Sequence, residues 1–337
     1  MGILRRLGLA VSVLLFGIFL AAFAFAAGMY SLFTSPQPLK TALQDSGVYG
    51  EITPNIADEQ MAAMSLPERD IGIKNAFKQA LPASFYQQAS EKIIDGTYNW
   101  ASGRSASPEF SIDTSNVKST FATNVANYVK QQMESLPACE RDTAAPTSAK
   151  DALSLTCVPK HVTPDNVASA TRQQLLASSL FNGDDTITPA TLKDGQGRSF
   201  KEQFAFLPLL FRSYVPALIA LPFVVALLGT AIVFSSASKR KGFRRVAWLL
   251  LSTGLTTLVL AAAGIELLHM GVRILGLPLT LAFETQDKLV KAVELLAVDA
   301  RPWWLGIGIV YALLGIALFI ILWARRPQAK LHFSNKE

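Results

Sequence analysis

The sequence predicts a mostly α-helical membrane protein. Four transmembrane helices, one near the N-terminus and three together toward the C-terminus, flank a mainly α-helical extracytoplasmic domain between spans 1 and 2. Three observations lead there. Half of the 337 residues are apolar and only 17% are charged, against roughly 25% in a typical globular domain. The apolar residues are bunched into four stretches, each as long as the about 20 residues that cross a bilayer. Lys and Arg gather beside those stretches and none lies inside them.

The spans run from Leu7 to about Tyr30, from Tyr214 to Phe234, from Val246 to about Leu268, and from Trp303 to Trp323. Trp304 and Trp323 bracket the fourth about 28 Å apart at 1.5 Å per residue, near the two interfaces of a hydrocarbon slab. Pro222 is expected to kink the second. Arg5, Arg6, an apolar run and AFAFAAG also fit a cleavable signal peptide, but the run exceeds the usual core of about 7–15 residues. A retained anchor is therefore expected. This divides the chain into an anchor (1–33), an extracytoplasmic helical domain (34–200), and an interfacial segment with a three-helix transmembrane domain (201–337).

Charge sets the expected orientation. Arg5 and Arg6, then Lys239, Arg240, Lys241, Arg244 and Arg245 in SSASKRKGFRR, then Arg325, Arg326, Lys330 and Lys336 all fall on one side of a four-span protein. With Glu337 as the sole acid among them, that side carries +10 and the remainder −4, consistent with the net +6. Basic flanks stay in the cytosol, so the expectation is a multi-pass plasma-membrane protein with both termini cytosolic and residues 34–213 exported. The pI of about 9.3 then reflects juxtamembrane segments facing anionic lipid rather than a nucleic-acid surface. Cys139 and Cys157, the two cysteines of the chain, lie on the exported side, where disulfides persist. They are expected to be bonded, leaving no metal site, because His161 is the one histidine nearby.

Within the exported segment, LKTALQDSG reads as a short helix ended by Gly47. PASFYQQASEKIIDGTYNW places Phe85, Ala89 and Ile93 on one stripe, with Tyr98 and Trp100 closing it. From Ser115 to about Ser135, Val117, Phe121, Val125, Tyr128, Val129 and Met133 recur at helical spacing until Leu136 and Pro137 stop the helix. Thr163, Pro164 and Asp165 read as an N-cap, a first-turn proline and a first-turn acid. Val167, Thr171, Leu175 and Leu176 should face inward. FNGDDTITPATLKDGQGR is turn-rich, and EQFAFLPLLF is apolar but too short to span, so it reads as interfacial. In the loop from Gly271 to Arg301, LGLPLTLAF is apolar, and ETQDKLVKAVELLAVDA reads as a separate amphipathic helix carrying Leu289, Val293 and Leu296.

Chemistry-bearing residues are few. Glu91 and Asp95 share a helix face at i, i+4; Asp184 and Asp185 sit in a turn; His161 could join a triad only in space. Glu266 and His269 are ionisable residues at the edge of the third span, a membrane-edge pair for which function is the first hypothesis. Thr256, Thr257 and the small residues Ala261 to Gly264 read as helix-packing contacts. GxSxG, Walker, HExxH and CxxC patterns are absent. Neither catalysis nor a cofactor is expected.

SPQPLKTALQDSGVYGEI after the first span and SASKRKGFRRVAWLLLSTGL at the second cytosolic turn resemble uncharacterised bacterial integral-membrane proteins with one N-terminal anchor, a helical extracytoplasmic domain and three C-terminal spans. The one-plus-three layout also resembles permease subunits of cell-division and macrolide-type ABC transporters, although Ser235 to Arg245 is short and basic for their coupling helix. The expectation is an envelope protein that lies in the lipid bilayer and whose exported domain binds an envelope protein partner. A transporter or ABC-type permease subunit is the alternative, and an exported hydrolase comes third.

Overall fold

The computed structural model describes residues 3–52, 71–140, 144–146, 149–177, 185–275 and 283–324, with side chains in 3–4, 149, 265–275 and 283–285 excepted. Asp184, LGLPLTLAF up to Ala282, and the basic tail from Arg325 lie outside these residues. The chain folds as two units. One comprises 1–38, 211–277 and 293–337, the other 39–210 and 278–292.

Four helices, lying wholly or mostly in the first unit, are long and apolar enough to cross a membrane. They are α1 (Ile3–Gly28), α10 (Leu207–Ser235), α11 (Lys239–Leu275) and α12 (Phe283–Ala324). A short α2 (Tyr30–Thr34) follows α1. Their common core is Phe16 and Leu20 of α1, Ile232 of α10, Val246 and Leu250 of α11, and Tyr311 of α12. The Tyr311 hydroxyl donates to the Leu20 carbonyl at 3.3 Å, so the most polar side chain of that core is partnered.

Between α11 and α12 the backbones touch. A methyl group added at Gly254 would lie 2.7 Å from Ala312 N and 2.8 Å from Gly308 O, and one at Gly315 would lie 2.9 Å from Ala247 O. Small residues permit such an approach in lipid, where van der Waals packing replaces the hydrophobic drive. The packing seam therefore lies at Gly254, Gly308 and Gly315. Of the stretch expected to pack, Ala261 is buried, but a methyl at Gly264 would meet nothing within 4 Å.

The ends of these helices explain much of the basic charge. The Arg5 guanidinium donates to Ser236 O at 2.7 Å and Ser235 O at 3.0 Å, closing the C-terminus of α10. Arg240 donates to Leu322 O at 3.0 Å near the C-terminus of α12, and Arg245 donates to Ser236 Oγ at 3.2 Å. Cations there satisfy orphan carbonyls and oppose the helix dipole. The starts of α1 and α11 and the ends of α10 and α12 thus gather at one basic end. At the far end, Phe33 stacks on Tyr214 at 4.2 Å, Tyr30 meets Trp303, and Ser31 Oγ donates to Asp299 at 2.7 Å.

Two expectations change. The basic turn SSASKRKGFRR is mostly helical: only residues 236–238 separate α10 from α11, because Ser238 Oγ accepts from Lys241 N and starts the next helix. The amphipathic segment and the fourth span are not separate helices but one helix of 42 residues. Pro302 lies inside it; a proline removes one internal bond, and neighbouring structure can absorb that loss. Pro216 and Pro222 likewise lie inside a continuous α10.

The second unit is built around α6 (Ser115–Glu134). Its buried face is Phe121, Ala122, Val125, Ala126, Val129 and Met133; of the stripe read from spacing, Val117 and Tyr128 are only half-buried, and two alanines join the rest. α4 (Ile71–Ala80) covers one side through Ile73 and Phe77; α7 (Ala149–Leu153) and α8 (Pro164–Leu176) cover the other through Ala152, Val167 and Leu175. Thr163 caps α8 by accepting from Asn166 N. Gly47, at φ +76°, ends α3 (Gln37–Ser46) as expected.

A smaller core joins Phe85, Ala89 and Ile93 of α5 (Ala83–Ala101) to Phe110, Ile112, Phe200 and Phe204. Here the turn-rich segment does more than link: β2 (Thr186–Ile187) pairs antiparallel with β1 (Ile112–Asp113). EQFAFLPLLF contributes Phe204 to the same core just after α9 (Phe200–Gln203). That short helix is held by a capping box between Ser199 and Glu202.

Two outcomes follow for the second unit. A methyl on Gly96 would lie 2.2 Å from the Glu109 carbonyl oxygen, and a backbone atom cannot step aside cheaply. Gly96→Ala should cost about 1–3 kcal/mol, read as a lower thermal midpoint of the full chain in detergent, whereas Gly50→Ala, with open space around it, should not. Hydrogen bonds from the backbone N–H and then the hydroxyl of Ser199 lower the pKa of Glu202 from 4.5. A depressed carboxyl stabilises the fold above its unfolded value and loses that contribution as pH falls through the folded one. Acid titration of unfolding below pH 4.5 should therefore be shallower for Glu202→Gln.

Candidate functional site

Cys139 and Cys157 form a disulfide, with Cα atoms 5.0 Å apart. It joins the chain leaving α6 to the chain approaching α8. Backbone bonds from Cys139 N to Val158 O and from Val158 N to Pro137 O, both 2.9 Å, flank it. Cys139 is buried at 3% exposure and Cys157 is half-buried. Its geometry is that of a staple.

The other sequence candidates do not converge. Glu91 accepts from Gln87 Nε2 at 2.9 Å, while Asp95 pairs with Lys40 at 2.6 Å, so the two carboxylates each hold a different partner. Asp185 pairs with Lys118 at 2.9 Å, an ion pair that ties the start of α6 to the strand β2 region. His161 is exposed on the turn before α8. The side chains of Glu266 and His269 lie outside the described residues.

A different feature emerges between α4 and α6. Asn75 and Gln79 face Asn124, Asn127 and Gln131 across a cleft of about 560 Å³, with Tyr128 in its wall. Gly72 lets the Tyr128 ring approach α4 closely in the wall of the cleft: a methyl there would come within 2.1 Å of the ring. Five amides supply paired donors and acceptors with no net charge. Such a lining suits peptide groups or amide side chains, and offers neither a nucleophile nor a base. Sequence reading passed over these residues because they form the polar face opposite Val125 and Val129, where solvated amides are ordinary. Their spacing of i, i+3, i+7 on α6 and i, i+4 on α4 was the available signal, but pairing the two helices needed the fold.

At the basic end of the membrane unit, Arg240, Lys241 and Arg244 line a second pocket of about 580 Å³ with Phe319 and Trp323. Cations beside an interfacial tryptophan fit the level of lipid headgroups.

No protein-family model, curated protein or solved structure matches the chain. The site is therefore read from its own geometry. The staple yields a direct outcome: replacing both cysteines by alanine, or reducing the bond, should lower stability by about 3 kcal/mol for a loop of this length. Unfolding midpoints with and without reductant measure it, and the double variant should no longer respond to reductant.

Proposed function

We propose that this chain is a multi-pass protein of the bacterial plasma membrane, with cytosolic termini, whose domain between the first and second spans lies outside the cytosol and binds an envelope protein partner. The observation that carries the reading is the gathering of basic residues at one end of the four long helices, through Arg5 on Ser235 and Ser236 and Arg240 on Leu322. Basic ends stay cytosolic. The segment between α1 and α10 then lies on the exported side, which accords with its disulfide.

The amide cleft supplies the contact. An uncharged, hydrogen-bonding surface of this kind recognises a polypeptide's amide groups, and the absence of a nucleophile–base pair among its lining residues favours binding over catalysis. α1 is a permanent part of the assembly in this reading, because Phe16 and Leu20 belong to the membrane core. Cleavage after the apolar run would remove them.

In-cell photo-crosslinking tests it. A photoreactive residue at Asn127, in the cleft, should capture the same envelope protein repeatedly, whereas one at the exposed Lys160 should not. Recurrent capture of a cytosolic ATPase from Lys241 would point to the permease alternative. Capture of nothing from any cleft position would count against the binding reading.

A further inference from the structure

We infer that a groove formed by α1, α11 and α12 seats one acyl chain of an anionic phospholipid, whose phosphate meets Arg301. The inference rests on the membrane reading above and is independent of what the exported domain binds. The groove has a volume of about 280 Å³ and is lined by Ala24 of α1, Thr257, Leu260 and Gly264 of α11, and Arg301 and Trp304 of α12, among others. It exists because small residues stand where three long helices meet. At Gly264 a methyl group would meet nothing within 4 Å, so the space is empty there.

The groove wall is mostly Ala, Leu, Phe, Gly and Trp, and the most deeply buried of its three threonines, Thr257, donates its Oγ1 to Thr253 O at 2.8 Å within its own helix. An apolar occupant is what such a wall accepts. The Trp304 ring flanks the groove and lies so near Gly28 that a methyl there would fall 1.9 Å from Nε1.

Arg301 stands at the mouth of the groove beside that ring, exposed. The acid nearest to it in sequence, Asp299, already accepts from Ser31 Oγ at 2.7 Å, and Arg301 has no ion pair among the described residues. A guanidinium presents a planar fork of donors that fits phosphate oxygens two at a time. Charge complementarity thus selects an anionic headgroup.

The dimensions agree with a lipid. From Thr253 to Gly264 the groove follows α11 for about 16 Å at 1.5 Å per residue, half of the roughly 30 Å hydrocarbon slab and so the depth of one leaflet. Arg301 lies about one helical turn beyond Trp304, which marks the interface. A chain lying in the groove therefore brings its phosphate to the guanidinium.

Native mass spectrometry of the full chain, purified in detergent with equal phosphatidylglycerol and phosphatidylcholine, tests this. The wild type should retain one phosphatidylglycerol in preference to phosphatidylcholine by about fivefold, the effect of one interfacial cation. Arg301→Gln should still retain a lipid but without preference. Gly264→Leu should retain neither lipid while keeping or raising its unfolding temperature, since it fills empty space and removes a helical glycine. If that variant does not fold, Thr256→Leu, on the same wall, should give the same loss. Equal retention of the two lipids by the wild type would overturn the proposal, as would groove-filling variants that bind lipid normally. Displacement of the retained lipid by millimolar inorganic phosphate would also overturn it, by showing a free-anion site instead of a chain seat. Each of these results is separate from the outcome of crosslinking at the cleft.

Discussion

A helix that ends near hydrocarbon leaves carbonyl groups with no water to meet, and the membrane unit is organised around supplying their partners. Arg5, at the start of the first long helix, reaches the last carbonyls of α10; Arg240, at the start of α11, reaches Leu322 near the end of α12. Each bond ties the beginning of one helix to the end of another. The bundle therefore has a defined pairing of ends before any side-chain packing is considered. The glycine seam between α11 and α12 and the Phe16, Leu20 and Tyr311 core complete it at greater depth.

Much of the fold was legible because its local signals agree with its tertiary packing. The α6 stripe combines helical spacing with burial, the Thr163 cap a residue preference with a backbone hydrogen bond, and the Gly47 stop a residue preference with a positive φ. Where local and tertiary signals part, the sequence misleads. ETQDKLVKAVELLAVDA reads as a helix separate from the fourth span, yet α12 runs through both with Pro302 inside it, a loss of one internal bond that neighbouring structure can absorb. Ala261 to Gly264 look like a packing motif, but Gly308, opposite Gly254, and Gly315, opposite Ala247 and Leu251, make the closer approach. The β1–β2 pairing joins two-residue segments more than seventy positions apart, too short for any periodicity to reveal.

The candidate sites show the same division. Two cysteines eighteen positions apart in the segment between the first two long helices announce a staple, and the bond joins them. Amides on a polar face announce nothing until a second helix is laid beside them. Arg301 looked like the end of a loop, and only the arrangement of α1, α11 and α12 shows that it stands over an apolar groove. In both cases the informative quantity is a distance between elements, and sequence spacing carries none of it.

The Arg5 contacts also set a timetable. Arg5 and its partner Ser235 are 230 positions apart, and at about 5–20 residues per second of synthesis the first helix exists for roughly ten to fifty seconds before α10 is complete. Throughout that interval Phe16 and Leu20 lack the Ile232, Val246 and Tyr311 of their core, and the guanidinium lacks the Ser235 and Ser236 carbonyls. The earliest helix to be made is among the last to find its place, so the waiting time of a lone N-terminal helix is built into the biogenesis of this protein.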